Sequence, residues 1–293
     1  MGRNTVLGCL FVIFLSTALG CGGRKSIVVG AKNFTEQFVL GEIIAQQIEG
    51  CAHLPVERRF NLGGALLAHQ AITSGNIDIY PEYTGTALTA VLKESASGPP
   101  DGVLESVRQA YKQRFGVHWL DPLGFENTFA MAIPGTIAEK RSLRTLSDAA
   151  ASGIAWRLGV GYEFEQRPDG LPGLLQTYPL KLSGTPRSMD LGLLYRAIQQ
   201  GQADMIAGNS TDGMIATMGL QVLDDDKGYF PPYQAAILMR EETIAAYPES
   251  KRCLESLSGQ FTAETMRQLN RRVDAGVPAE SVASEFLKSH TAR

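Results

Sequence analysis

Short apolar runs alternate along this chain with stretches whose apolar residues recur at helical spacing, and that alternation restricts the fold more than any other feature. Residues 26–30 (Ser-Ile-Val-Val-Gly) have the character of a strand buried on both faces. Thr35 then heads a helix to about residue 49, with Phe38, Ile43, Ile44 and Ile48 apolar. Glu36 sits in its first turn, where the helix dipole favours an acid. Residues 56–60 read as the next strand. Gly63 and Gly64 open a helix through Ala65, Leu66, His69 and Ile72 that ends at Gly75, and 77–80 is a third strand. Strand–helix–strand units of this kind predict a parallel, doubly wound sheet that binds ligands beyond its strand ends.

The alternation resumes after a loop at 99–101 and a helix at 103–115. Trp119 and Leu120, then 129–133, read as strands. A second unit follows, with helices near 147–151, 170–177 and 189–200 and strands at 157–160, 203–207 and 220–223. After Pro231-Pro232, residues 235–239 read as a returning strand, and 248–257, 263–274 and 278–287 as helices. The expected architecture is α/β with two lobes, 26–128 plus 233–293 and 129–232. The chain would cross between them near 127–130 and again near 232–236, leaving a cleft that closes about a hinge.

Residues 1–20 have the form of an export signal: Arg3, then an apolar run of ten residues at 6–15, too short to span a bilayer. Ala18-Leu19-Gly20-Cys21 resembles a bacterial lipobox, so the expectation is cleavage before Cys21, a lipid on that cysteine, and Gly22-Gly23 as a flexible connection. An ordinary signal peptide with an incidental cysteine is the alternative. In an oxidising compartment Cys51 and Cys253 are then the remaining cysteines, either paired as a disulfide or buried as free thiols. His53 lies near Cys51, but no second Cys/His pair accompanies it at metal-ligand spacing, so no metal or cofactor is expected. A net charge of −3 argues against a nucleic-acid partner.

Asp78-Ile79-Tyr80-Pro81-Glu82-Tyr83-Thr84-Gly85-Thr86 crowds two aromatics and two hydroxyls into one turn. Pro81 is expected to stop the preceding strand from running on as a central ladder, and Gly85 to permit a tight turn. Tyrosine rings offer an electron-rich face, which suits a cation that cannot donate hydrogen bonds. A turn packed on a core is the plainer reading of the same residues. Motifs of nucleophilic, zinc-dependent and phosphate-binding enzymes are missing, and His53, His69, His118 and His290 lie in segments with no evident convergence. Asp224-Asp225-Asp226 lacks the spacing of a calcium loop and reads as a solvated turn.

Several blocks in order resemble the substrate-binding components of ABC importers for glycine betaine, choline and related quaternary amines. They are Gly30-Ala31-Lys32-Asn33-Phe34-Thr35-Glu36-Gln37, Asn61-Leu62-Gly63-Gly64, the stretch 75–86 and Glu163-Phe164-Glu165-Gln166-Arg167-Pro168-Asp169-Gly170. Ser210-Thr211-Asp212-Gly213, the stretch 225–233 and Leu269-Asn270-Arg271-Arg272-Val273-Asp274 continue the match. The resemblance implies a two-lobed periplasmic-binding fold of type II with a two-strand hinge. It implies an exported, membrane-anchored monomer that delivers its ligand to a permease and catalyses nothing. An aromatic cage around the quaternary nitrogen would include Tyr83 and Tyr233, with Phe129 and Asn209 standing where tyrosines are usual and Asn127 at a polar cage position. Lys32, Thr86 and Arg167 match positions that hold a ligand carboxylate. Phe129 keeps a ring face, whereas Asn209 replaces one with an amide, a donor and acceptor together. Glycine betaine, choline, carnitine-like amines and ergothioneine all fit these residues. The contrasting expectation is an enzyme acting on a choline-like compound, with Asp78, Glu82 and Asp212 as its acid/base candidates.

Overall fold

Two five-stranded mixed sheets, each covered by helices, make up the chain in this computed structural model, which describes residues 26–94 and 99–290. The expected signal at 1–20 and Cys21 lie outside the described residues. The first sheet contains β1 (Ile27–Gly30), β2 (Val56–Arg59), β3 (Ile79–Tyr83) and β4 (Val117–Trp119). The second contains β5 (Phe129–Pro134), β6 (Leu158–Gly161), β7 (Arg187–Met189), β8 (Met205–Asn209) and β9 (Leu220–Val222). The chain then returns to the first sheet as β10 (Ala235–Arg240).

The sheets share one topology, β2-β1-β3-β10-β4 and β7-β6-β8-β5-β9. In each, the strand arriving from the other lobe is antiparallel to its neighbours: β10 against β3 and β4, β5 against β8 and β9. The strands of the strand–helix–strand units, β2-β1-β3, are parallel as expected, and the antiparallel strands are the ones that arrive by a crossing. A crossing chain enters at the cleft, where the strands of the parallel core end, and so must run the opposite way. The two crossings lie side by side, joined by a bridge between Glu126 and Gln234 and by the Asn127 N–H donating to the Tyr233 carbonyl at 3.1 Å.

The inner strands β1, β3, β5, β6, β8 and β10 are buried on both faces because apolar clusters lie on each side of each sheet. β3 departs from the sequence reading. It runs through Pro81, is buried at all five positions and lies between β1 and β10. The β1 ladder touches it only at Ile79, so at Pro81 the strand has a single ladder neighbour, an edge-like position where a missing N–H is tolerated. β7 went unread because Arg187-Ser188-Met189 is a half-exposed edge strand with no apolar run.

Pro248–Glu255, Ala263–Asp274 and Ala279–His290 are helices of the first lobe, whose core takes in Leu254, Met266, Val282 and Phe286 beside Ile43, Ile44 and Ile48. Cys51 and Cys253 form a disulfide there, with Cα atoms 5.9 Å apart. Among the described residues no helix is long and apolar enough to cross a membrane. Two members of the acidic turn hold the second lobe together. Asp225 accepts from the Tyr178 hydroxyl (2.5 Å) and the Phe230 N–H (2.8 Å), and Asp226 from the Ser147 N–H (3.1 Å).

Candidate functional site

The strand ends of both lobes face one cavity of about 140 Å³, and Lys32, Tyr83, Thr86, Asn127, Phe129, Arg167, Asn209 and Tyr233 all line it. Its position follows from the topology. β3 ends at Tyr83, paired with Ala235 just after the second crossing, and β5 begins at Phe129, paired with Asn209 at the end of β8. Tyr83 and Tyr233 thus come from lobe one and the hinge, and Phe129 and Asn209 stand directly opposite each other in lobe two.

The two cations of the wall are each held by a buried carboxylate. Lys32 Nζ donates to Glu82 Oε1 at 2.5 Å, and that carboxylate, 0% exposed, also accepts from the Tyr83 N–H (2.8 Å) and the Tyr80 hydroxyl (3.3 Å). Arg167 Nε and Nη2 donate to the two oxygens of Asp169 at 2.9 and 2.5 Å, the planar fork that guanidinium and carboxylate share. Burial pushes Asp169 upward, but Arg167 and the Tyr233 hydroxyl, which donates at 2.5 Å, hold it below the usual carboxylate range. Arg167 Nη1 donates at 3.3 Å to the Thr86 hydroxyl across the cleft. One face of this guanidinium system is therefore tied, and Nη1 has only a long, neutral partner.

Each cation also rests on an aromatic face. Lys32 Nζ is 4.6 Å from the centroid of Tyr83 and 5.8 Å from that of Phe34, and Arg167 lies 5.0 Å from Phe129. The sequence reading had assigned rings and cations to opposite ends of a ligand; here they touch each other. Tyr233 meets Phe129 edge to face at 5.8 Å, and Phe34 stacks beside Tyr83 at 6.4 Å.

Behind Tyr83 lies Glu36, read from sequence only as a first-turn acid. It is 1% exposed, and burial raises its carboxyl above the usual range. The Tyr83 hydroxyl (2.6 Å), Asn127 Nδ2 (2.9 Å) and Asn270 Nδ2 (3.1 Å) all donate to it. Asn270 also donates to the Thr211 carbonyl at 2.9 Å, so this network ties the first lobe, the hinge and the second lobe together. Among the described residues the amide oxygen of Asn127 has no hydrogen-bond partner.

Glu163 was also missed as a site residue. Its Oε1 accepts from the Ala65 N–H at 2.6 Å, crossing the cleft to the N-terminus of helix Ala65–Thr73. Glycine at 64 makes room for it, because a Cβ there would stand 2.3 Å from that oxygen. The signal was present in the Gly63-Gly64 helix start, whose free N–H groups attract an anion. The acid/base candidates have structural partners: Asp78 accepts from the Val28 N–H (2.8 Å) and Thr243 (2.8 Å), and Glu82 holds Lys32. Asp212 accepts from the Tyr195 hydroxyl at 2.6 Å and stands at the start of helix Gly213–Thr217 without a side-chain capping bond.

The profile of the substrate-binding domain of ABC-type glycine betaine transport systems matches residues 25–289. The carnitine transport binding protein of Listeria monocytogenes is 34% identical over 285 residues, 95% of this chain and 92% of its own. An ergothioneine transport permease/ergothioneine binding protein of Helicobacter pylori is 35% identical over 291 residues, 97% of this chain; the chain spans 52% of that protein's length. A crystal structure of a glycine betaine/carnitine/choline ABC transporter superposes with a TM-score of 0.76 at 34% identity, covering 91% of this chain and 99% of that one.

Proposed function

Because this chain belongs to the family of substrate-binding domains of ABC-type glycine betaine transport systems, we propose that it captures a small quaternary amine between its lobes and delivers it to a membrane permease without making or breaking a bond. The observation that carries this reading is the stacking of Lys32 on Tyr83 and of Arg167 on Phe129. A ring face attracts positive charge through its quadrupole, and the attraction strengthens when water is excluded. A methylated ammonium that cannot donate hydrogen bonds competes for such faces without needing an acceptor.

Lys32 and Arg167 are each balanced by a carboxylate, so this part of the wall favours a zwitterion over a simple anion. Tyr83, Phe129 and Tyr233 would surround the methyl groups, and Arg167 Nη1, Lys32 and Thr86 would take a carboxylate. The lobes 26–128 plus 233–293 and 129–232 would close on it about the paired crossings, as a monomer. The carnitine and ergothioneine relatives are consistent with a betaine ligand. Ergothioneine is a second reading, favoured by the amide at Asn209 opposite Phe129.

Calorimetric titration with glycine betaine, choline, carnitine and ergothioneine tests this reading. One of them is expected to bind one to one, and Tyr233→Ala to weaken it by roughly tenfold or more, the worth of one good cation–ring contact. No binding by any of the four would overturn it. We further propose that export and a lipid on Cys21 hold the protein at a membrane surface, which mass spectrometry of the mature N-terminus decides: an unmodified residue elsewhere would refute it.

A further inference from the structure

Asn209 belongs to two cavities. It lines the cavity described above and also an adjoining groove of about 500 Å³ between the lobes, and Asn33, Phe34 and Leu191 line both. Beyond that junction the groove is walled by Tyr195, Arg196, Asp212 and Asp274 among others. A tyrosine face at position 209 would fill part of the junction; the shorter amide leaves a passage. The Asn209 side chain is only weakly held, its Nδ2 donating to Asp212 Oδ1 at 3.4 Å, while Asp212 Oδ2 takes the Tyr195 hydroxyl (2.6 Å) and the Asn209 N–H (2.9 Å). Asp212 Oδ1 thus has one long partner. Burial raises the Asp212 carboxyl to about 6, so near neutrality it is an acceptor. Asp274 accepts from Thr35 at 2.7 Å. With two carboxylates to one guanidinium, the groove suits a substituent that donates hydrogen bonds.

Resting on the quaternary-amine reading above, we infer that the ligand is an amino-acid betaine, trimethylammonium and carboxylate on one carbon, whose third arm passes Asn209 and Leu191 into the groove and donates an N–H toward Asp212. Glycine betaine and choline have no such arm. The ammonium and carboxylate stay in the first cavity, and the arm decides which betaine is kept. Asn209 is then a specificity-determining residue, and Leu191 forms the opposite side of the same passage.

The test is calorimetric titration of the full chain with two probes, glycine betaine and Nα,Nα,Nα-trimethylhistidine. The wild-type protein is expected to prefer the histidine betaine by roughly tenfold or more, the scale on which a filled and hydrogen-bonded pocket discriminates. Asn209→Tyr, and separately Leu191→Phe, should remove most of that preference by weakening the histidine betaine several-fold more than glycine betaine. Thermal melting identifies a variant that fails to fold, and the other variant then carries the comparison. A wild-type preference for glycine betaine, or equal losses for both probes in both variants, would overturn the inference and leave the quaternary-amine reading standing. Binding of neither probe, nor of choline or carnitine, would overturn that reading and the inference with it.

Discussion

Arg167→Ala is expected to weaken a carboxylated quaternary amine by roughly a hundredfold or more, the effect of removing a charge-assisted partner from a buried site, and to hurt choline far less. The same substitution should destabilise the fold. Arg167 and Asp169 are 8% and 6% exposed, and their two-point ion pair is the main force holding Asp169 ionised. Without the guanidinium, burial acts on Asp169 with the hydroxyls of Tyr233 and Thr89 left to oppose it. Breaking a buried pair by removing one partner costs about 3–5 kcal/mol. Arg167→Lys separates the two roles, since it keeps a charge for the ligand but cannot offer the fork. Calorimetry with glycine betaine and choline, beside thermal melting, reads both effects. Equal losses for the two ligands would show that Arg167 does not meet a carboxylate.

The second large effect is expected from the Cys51–Cys253 bridge, which joins residues 202 apart in sequence. In the chain-entropy account, closing so long a loop in the unfolded chain stabilises the fold by about 5 kcal/mol. For a chain of this size that corresponds to a fall in Tm of roughly 10 °C or more on reduction or in Cys253→Ser. The bridge pins the turn after helix Thr35–Gln47 to helix Pro248–Glu255, so it also holds the returning C-terminal segment to the first lobe. A Tm unchanged by reductant would mean that the bridge adds nothing to the stability of the fold.

Much of the architecture was legible because its periodicities are strong. Residues 26–30, 56–60 and 235–239 are apolar or alternating runs bounded by turn residues, and the structure has β1, β2 and β10 there. The helix expected at 263–274 is Ala263–Asp274. What stayed hidden depends on tertiary pairing. Pro81 argues against a central strand until one sees that β1 has already ended beside it. The antiparallel direction of β5 and β10 depends on where a crossing enters, not on local pattern.

The site divides in the same way. The family blocks marked Lys32, Tyr83, Thr86, Asn127, Phe129, Arg167, Asn209 and Tyr233, and all line one cavity. The roles of the carboxylates behind them were not legible: Glu82, read as an acid/base candidate, and Glu36, read as a first-turn acid, meet Lys32 and Tyr83 from 50 and 47 residues away, and Asp169, two residues from Arg167, had no role assigned. Glu163 reaches 98 residues back to Ala65. That Lys32 and Arg167 would lie on the very rings assigned to the ligand was likewise beyond any reading of spacing.

The central claim is that the cavity recognises positive charge on a methylated nitrogen through its rings. Glycine betaine and 3,3-dimethylbutanoate have the same shape and the same carboxylate, and differ in a quaternary nitrogen against a quaternary carbon. Titrating the protein with both isolates that charge. If glycine betaine binds at least roughly tenfold more tightly, the sum expected from two or more ring contacts, the rings are reading the cation. If the two bind equally, the cavity reads only shape and carboxylate, and the aromatic account fails.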